Sequence, residues 1–540
     1  MIGPLGACVV VPLLLAAACL AVPRPAAARW LALAGSLITL LTGAVALADF
    51  AQRPGADFRM QEAWHWSDAF GASFAFGVDG IGAAMLALSG LVTAIATIAA
   101  WRQERLPRLY HALVLVLLAA MNGVFTSLDL LLFYVSWEAV LLPMLPLIGV
   151  FGGEQRRYAA MKFFVFTLAG SVAMLAMLLG VWNATPAEGR TVEVSAAVLA
   201  AHHEGVPVYV FGLPLGPSDA VPTVHVPRDF DLRHLSLQAD AFAQAPFFGM
   251  PLAVFGLLAV LLACLVKVPA FPLHTWLPHA HVQAPTAVSV LLAGVLLKLG
   301  VYGIYRVGVP LFPSAFASFA PALGALGLVG ILWGALVALG QRDWKRLVAY
   351  SSVSHMGFCL LGVASATVAG VTGGMVQAVT HGLTSAMLFL LVGVVYDRAH
   401  SRDVNGFGGL ARPMPRFAWI LLLASLASAG LPGLCGFVGE FAVLMGGFTA
   451  NGWFPAMTAA ATVSVVLSAA YLLWTVKRVA YGPLAHAEHA AYPDCDRREL
   501  WSLLPLALLV VVLGVWPAPL MNALRPACEL LVQQLAGAAR

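Results

Sequence analysis

Apolar residues run along most of this chain in stretches of near twenty, separated by short polar connections, and a stretch of that length is what a membrane-spanning helix needs. Counting each Pro- or Gly-interrupted stretch once, the pattern predicts an all-α polytopic membrane protein of about fourteen transmembrane helices. The first two cover about 3–22 and 30–49, and the third is entered through Phe76 to Gly82. The next three cover about 109–126, 128–150 and 162–183, and the seventh and eighth fall between Pro251 and Ile304. The remaining six cover about 315–340, 347–366, 371–396, 416–447, 455–480 and 500–523. Two longer polar stretches interrupt this series. One precedes Phe76; the other, from Asn183 to about Phe248, carries Pro, Gly, Asp and His without a period and reads as an extramembrane loop.

Two spans are broken from within. The seventh carries Pro269, Pro272 and Pro278, and the twelfth carries Gly430, Pro432, Gly433 and Gly436. Proline removes a backbone donor and clashes with the preceding turn, so neither run continues as one straight helix. The two breaks lie five spans apart, an odd number, and so cross in opposite directions. That placement predicts two inverted five-helix repeats, spans 4–8 and 9–13, with ion sites at the breaks. The corresponding division is 1–107 for helices 1–3, 108–306 and 307–482 for the two repeats, and 483–540 for helix 14 and the tail.

Composition narrows the class. With 61% hydrophobic and 10% charged residues, a soluble fold is excluded, and a net charge of +4 spread over short loops points to no nucleic acid. Of 29 Lys and Arg, 19 sort into odd-numbered connections, which the positive-inside rule assigns to the cytoplasm; both termini and the long loop then face the opposite, external side. No basic residue precedes Arg24, so the N-terminus reads as a first span and not as a cleaved signal. The seven cysteines form no CxxC and no cluster at metal spacing, which supports neither zinc nor iron–sulfur binding. GVDGIG and GFVGEF lead into apolar helices without a preceding strand and read as packing or breaks, not dinucleotide binding. No covalent catalytic motif is present.

The candidate chemistry lies inside the membrane. Only five of the 29 cationic residues are lysine, yet two of these, Lys267 beside the first break and Lys298 in the eighth span, sit in apolar sequence. A charge there costs roughly 2.5–3.5 kcal/mol on insertion scales. Lysine, unlike arginine, can shed its proton when desolvated and so can load and release one. Of the acidic residues, Glu138 and Glu440 alone fall well inside spans, the first as a plausible counter-ion for Lys267 and the second in the twelfth span. His355 in SSVSHMG and His381 in AVTHGLTSAM lie between the two breaks among small polar residues, a setting for proton relay. His274, His279 and His281 lie at the first break, near the cytoplasmic boundary. His202, His203, His225 and His234 read as surface residues of the long loop.

WEAVLLPMLPLIG (137–149), KVPAFPLHTWLPHAHVQAPTAVSVLLAGVLLKLGVYG (267–303), DWKRLVAYSSVSHMG (343–357) and GLPGLCGFVGEF (430–441) together resemble the antiporter-like membrane subunits of respiratory complex I, over about Phe76 to Pro519. The resemblance implies proton translocation driven by quinone reduction elsewhere in an NADH:quinone oxidoreductase. Glu138 and Lys267 would be a coupled pair, Lys298 a central relay, His355 and His381 a connecting axis and Glu440 the terminal site. It also implies that FMN, iron–sulfur clusters and quinone belong to other subunits and none to this chain, that the antiporter-like subunits L and N are partners, and that the setting is a bacterial inner membrane. Glu440 stands where subunits L and N and the multisubunit cation/proton antiporters typically have lysine. His279 replaces a frequent Asp or Lys, and Gln283 a frequent Glu. A cation/proton antiporter or membrane-bound hydrogenase subunit, and a purely structural spacer, are the alternative readings.

Overall fold

The computed structural model describes residues 2–67, 69–193, 209–210, 213–214 and 223–538. His202 and His203 lie outside the described residues. Among the described residues, twelve helices are long and apolar enough to cross a membrane: α1 Pro4–Ala21, α2 Pro25–Gln52, α3 Gly80–Ala99, α4 Pro107–Thr126, α5 Leu130–Gly149, α6 Arg156–Ala184, α9 Thr286–Leu311, α10 Pro313–Leu339, α11 Trp344–Ala364, α12 Val368–Ala399, α15 Phe454–Ala480 and α16 Arg497–Val515. Shorter apolar helices occupy the two interrupted regions: α7 Leu252–Lys267, followed by α8 Trp276–Gln283, and the pair α13 Pro415–Ser428 and α14 Cys435–Thr449.

The breaks fall where the sequence places them. α7 ends at Lys267, and the indole of Trp276 donates to the Val266 carbonyl at 2.8 Å, satisfying one of the acceptors that the interruption frees. Between α13 and α14 the chain turns through Gly430 and Gly433, whose φ angles of +77° and +89° suit a residue without Cβ.

Burial sorts the helices into an inner and an outer set. The apolar windows of α9 and α12 are 100% buried and that of α11 is 94% buried, against 33% for α1, α2, α15 and α16. The three enclosed helices are the ones that carry Lys298, His355 and His381. Their polar side chains are therefore surrounded by protein and not by lipid.

Three features depart from the sequence reading. The polar stretch before α3 is an antiparallel hairpin, β1 Arg59–Ser67 with β2 Ala72–Val78, and Asp79 then caps α3 by accepting from the Gly82 amide at 2.8 Å. The fourteenth apolar run ends at Val515, and Ala518–Ala538 forms a separate helix, α17, packed across the start of α3 and α12; its apolar residues lie on one side only, which a span-length window does not register. Lys345, in the polar connection that precedes the tenth predicted span at about 347–366, is drawn into the start of α11 and is 4% exposed.

The described end of the long loop is docked. Asp129 and Asp231 form a β-bridge, flanked by Leu130 N to Phe230 O at 2.8 Å and Leu232 N to Leu128 O at 2.7 Å. Trp182 stacks on Phe230, with ring centroids 4.8 Å apart. Arg233 pairs with Asp231 and reaches Gln61 in the hairpin at 2.5 Å. His225 lies in the short strand Thr223–Val226, whereas His234 is buried and bonded to Asp229 at 2.7 Å, so the surface reading of His234 is corrected.

Candidate functional site

Four of the six residues singled out from sequence meet in the enclosed core. α9 is not a regular helix: Leu292–Leu296 and Ile304–Gly308 are π-helical turns, a local widening frequent at functional sites. The Lys298 ammonium nitrogen reaches back to the Ala293 carbonyl in the first of these turns. It also meets His381 Nδ1 on α12 at 2.8 Å. The His381 and His355 rings lie with centroids 5.4 Å apart, and His355 Nδ1 meets Glu440 Oε1 at 2.8 Å.

Close helix packing makes the last contact possible. A Cβ on Gly439 would sit 2.7 Å from the Gln377 backbone, so α14 lies directly against α12. Gln377 Nε2 then donates to Glu440 Oε1 at 3.1 Å, and Thr380 donates to Gln377 Oε1 at 3.3 Å. Ser428, at the end of α13, sits 3.2 Å from His355 Nε2. Buried polar groups of this kind are costly unless bonded. Here nearly every atom has a partner, and the orphan is His381 Nε2.

Lys267 is held differently. Its ammonium donates to the Trp137 carbonyl at 2.9 Å and stands 3.7 Å from the centre of the Trp137 ring, a cation–π contact. The expected ion pair with Glu138 is not formed. Glu138 is the next residue along α5, and its Oε1 is buried without a hydrogen-bond partner among the described residues. The two groups are close neighbours whose charges act on each other without contact.

At the first break His274 and His281 are buried, the latter completely, whereas His279 Nδ1 donates to the Thr275 carbonyl at 2.9 Å and lies 3.4 Å from the Lys162 ammonium. Gln283 ties the break to the α5–α6 connection: its side chain accepts from Gln155 N at 3.0 Å and its carbonyl from Gly153 N at 2.9 Å. Sequence reasoning missed Gln377 and Trp137. Both lie next to chemistry it had found, Gln377 one helical turn before His381 and Trp137 adjacent to Glu138. Periodicity from those positions was the available signal.

At the outer end of α9, Arg306 pairs with Asp79 at 2.7 Å and contacts Tyr302, whose hydroxyl donates to the Phe125 carbonyl. This buried pair fixes α9 to the start of α3. No cluster of metal-ligating side chains occurs among the described residues.

Residues 127–208 and 229–468 match the family described as NADH:quinone oxidoreductase/Mrp antiporter, TM. A Rhodobacter capsulatus protein, "NADH-quinone oxidoreductase subunit M", is 38% identical over 512 residues, covering 94% of this chain and 90% of that protein. Among solved structures, respiratory complex I from Thermus thermophilus with bound NADH contains a chain that superposes with a TM-score of 0.81 at 29% identity, over 98% of this chain and 99% of that one. The Mrp complex from Dietzia sp. DQ12-45-1b superposes with a TM-score of 0.79 over 98% of this chain and 97% of that one; at 20% identity this likeness concerns the fold alone. The chain belongs to the NADH:quinone oxidoreductase/Mrp antiporter family of membrane subunits.

Proposed function

We propose that the chain is a proton-translocating membrane subunit of an NADH:quinone oxidoreductase. The observation that carries this reading is the run of contacts from Lys298 through His381 and His355 to Glu440, in the enclosed core of a protein related to subunit M. Each member can hold or pass a proton, and neighbouring members are within a hydrogen bond or a ring contact. Lys267 and Glu138 form the other half of the machinery: bringing them together favours charge on both, and separating them favours transfer of the lysine's proton onward. Electrostatic changes in neighbouring subunits drive that exchange.

On this reading the protein acts as part of a translocase and carries no redox centre; FMN, iron–sulfur clusters and quinone sit in other subunits. The membrane partners are the antiporter-like subunits L and N. The setting is a bacterial inner membrane, with the arginine-rich face cytoplasmic and both termini periplasmic. α7 with α8, and α13 with α14, each count as one broken span, which gives fourteen in all. Residues 108–306 and 307–482 form the inverted repeats, between 1–107 and 483–540.

The test uses inverted membrane vesicles holding the assembled complex. Lys298→Ala is expected to reduce NADH-driven proton uptake about 100-fold, the scale of a lost proton-transfer group. Undiminished uptake by an assembled variant rejects the relay. Na⁺-dependent exchange without NADH would favour the antiporter reading.

A further inference from the structure

A second buried lysine chain leads into the axis from the arginine-rich face. A cavity of about 420 Å³ opens there between the ends of α3, α12 and α16 and the α8–α9 joint, and Lys345 forms part of its lining. Lys345 is 4% exposed, and its ammonium donates to the Ala284 carbonyl at 2.8 Å, at the non-helical joint Ala284–Pro285. No carboxylate pairs with it among the described residues; Arg402, Asp343 and Asp397 are the charges it feels. One turn back from that joint, His281 is fully buried and stacked on Phe389, with ring centroids 4.3 Å apart and planes within 7°. Neither of its ring nitrogens has a partner among the described residues. The charges acting on it are Lys345 on one side and Lys298 on the other.

A lysine that only capped a carbonyl would need neither a cavity at its side nor an unpartnered imidazole behind it. We propose that Lys345 is a proton-loading residue, taking protons from the cavity and passing them by way of His281 to Lys298. This rests on the proton-translocating reading above. In each cycle the neutral Lys345 amine binds a proton from water entering the cavity, the ammonium yields a proton to a His281 ring nitrogen, and the imidazolium yields one to the neutral Lys298 amine. Only N–H and O–H bonds form and break, and no oxidant or reductant is consumed.

Arginine and histidine separate this role from a structural one. Arginine retains the charge and the bond to Ala284 but does not release its proton, whereas histidine sacrifices reach and keeps titration. In vesicles with the assembled complex, Lys345→Arg is expected to lower NADH-driven proton uptake about tenfold or more, and Lys345→His to retain more uptake than Lys345→Arg. Wild-type uptake by Lys345→Arg, or better uptake by Arg than by His, overturns the proposal. If Lys298→Ala abolishes uptake while Lys345→Arg leaves it intact, the inlet fails and the axis stands; if Lys298→Ala pumps normally, the axis itself fails. Should Lys345→Arg not assemble, Lys345→Cys provides a second route. An impermeant thiol reagent is expected to label it through the cavity in inverted vesicles and not in right-side-out ones, since the seven native cysteines are buried and none lines that cavity. Equal labelling from both sides, or none, overturns the proposal.

Discussion

Lys298 and Lys267 are both buried lysines at irregular points of apolar helices, yet the protein holds them in opposite ways. Lys298 is bonded to a second titratable side chain, which adjoins a third and through it a carboxylate. Lys267 is bonded to a backbone carbonyl and an aromatic face, neither of which takes up a proton, while the carboxylate beside it has an unpartnered oxygen. On the proposed reading the first arrangement is a path, since proton exchange between neighbours needs only small motions. The second is a poised pair, since the lysine is stabilised without being neutralised by Glu138. Two lysines that look alike in sequence are therefore held in different ways.

The sharpest way to break this contrast is at Glu440. Glu440→Gln preserves the shape and the contact with Gln377 but removes the proton acceptor that ends the path. Proton uptake coupled to NADH oxidation in vesicles is expected to fall about 100-fold. Uptake within a few-fold of wild type would mean that the contacts are structural.

Glu138→Gln tests the other arrangement. Because no ion pair joins Glu138 to Lys267, its removal should leave assembly intact, unlike the loss of one partner from a bonded buried pair, which costs roughly 3–5 kcal/mol. Coupled uptake is expected to fall about tenfold through loss of the charge that biases Lys267. An assembly defect on native gels, with normal uptake in the complex that remains, would show that the carboxylate is a structural counter-charge after all. The contrasting case is Asp79→Ala, which unpairs the buried Arg306 and is expected to lower the yield of folded protein.

Much of this was legible in the sequence, and the reasons are physical. A charge in an apolar run is too costly to place idly, so Lys267, Lys298, Glu138 and Glu440 stand out from composition alone. Pro269 and Gly430 mark the breaks because the backbone has few ways to accommodate them. What sequence could not rank was partnership. Whether Lys267 faces Trp137 or Glu138 depends on a helix rotation that residue spacing along α5 leaves free. Lys345 was lost to its neighbours: in DWKRL an exposed and a buried cation stand side by side, and hydropathy assigns both to the loop. The amphipathic α17 is divided between the last span and the tail in the sequence reading because its apolar residues lie on one side only, a pattern that a span-length window does not register.

Trp137 sharpens the contrast at smaller scale. Trp137→Leu keeps the backbone carbonyl and deletes the ring beneath the Lys267 ammonium, a contact worth about 2 kcal/mol when desolvated. The expected outcome is a few-fold drop in coupled uptake and a lowered melting temperature of the purified complex, without loss of assembly. No change in either would show that the carbonyl alone holds the lysine.

The smallest effect belongs to the docked end of the long loop, where a histidine is paired as openly as Lys267 is not. Burial disfavours the His234 imidazolium, but the bond to Asp229 and the charge of Asp231 outweigh burial and the opposing Arg233, so its pKa lies above the ordinary value. Asp229 is itself pushed up by burial, an effect its bond to His234 opposes. A histidine whose folded pKa is raised stabilises fully below its unfolded value near 6.5 and loses that contribution as pH rises through the folded value. The Asp129–Asp231 bridge should therefore loosen on the alkaline side by about 1 kcal/mol, given the residual exposure of the pair. Hydrogen exchange at the Leu130 and Leu232 amides, corrected for intrinsic base catalysis, should show faster opening at about pH 8 than at about pH 6. His234→Gln should reduce the difference to the part that belongs to Asp129, whose carboxyl burial pushes up to about 6. If opening remains independent of pH in the wild type, the backbone bridge and the Trp182–Phe230 stack hold the loop without help from the ion pair.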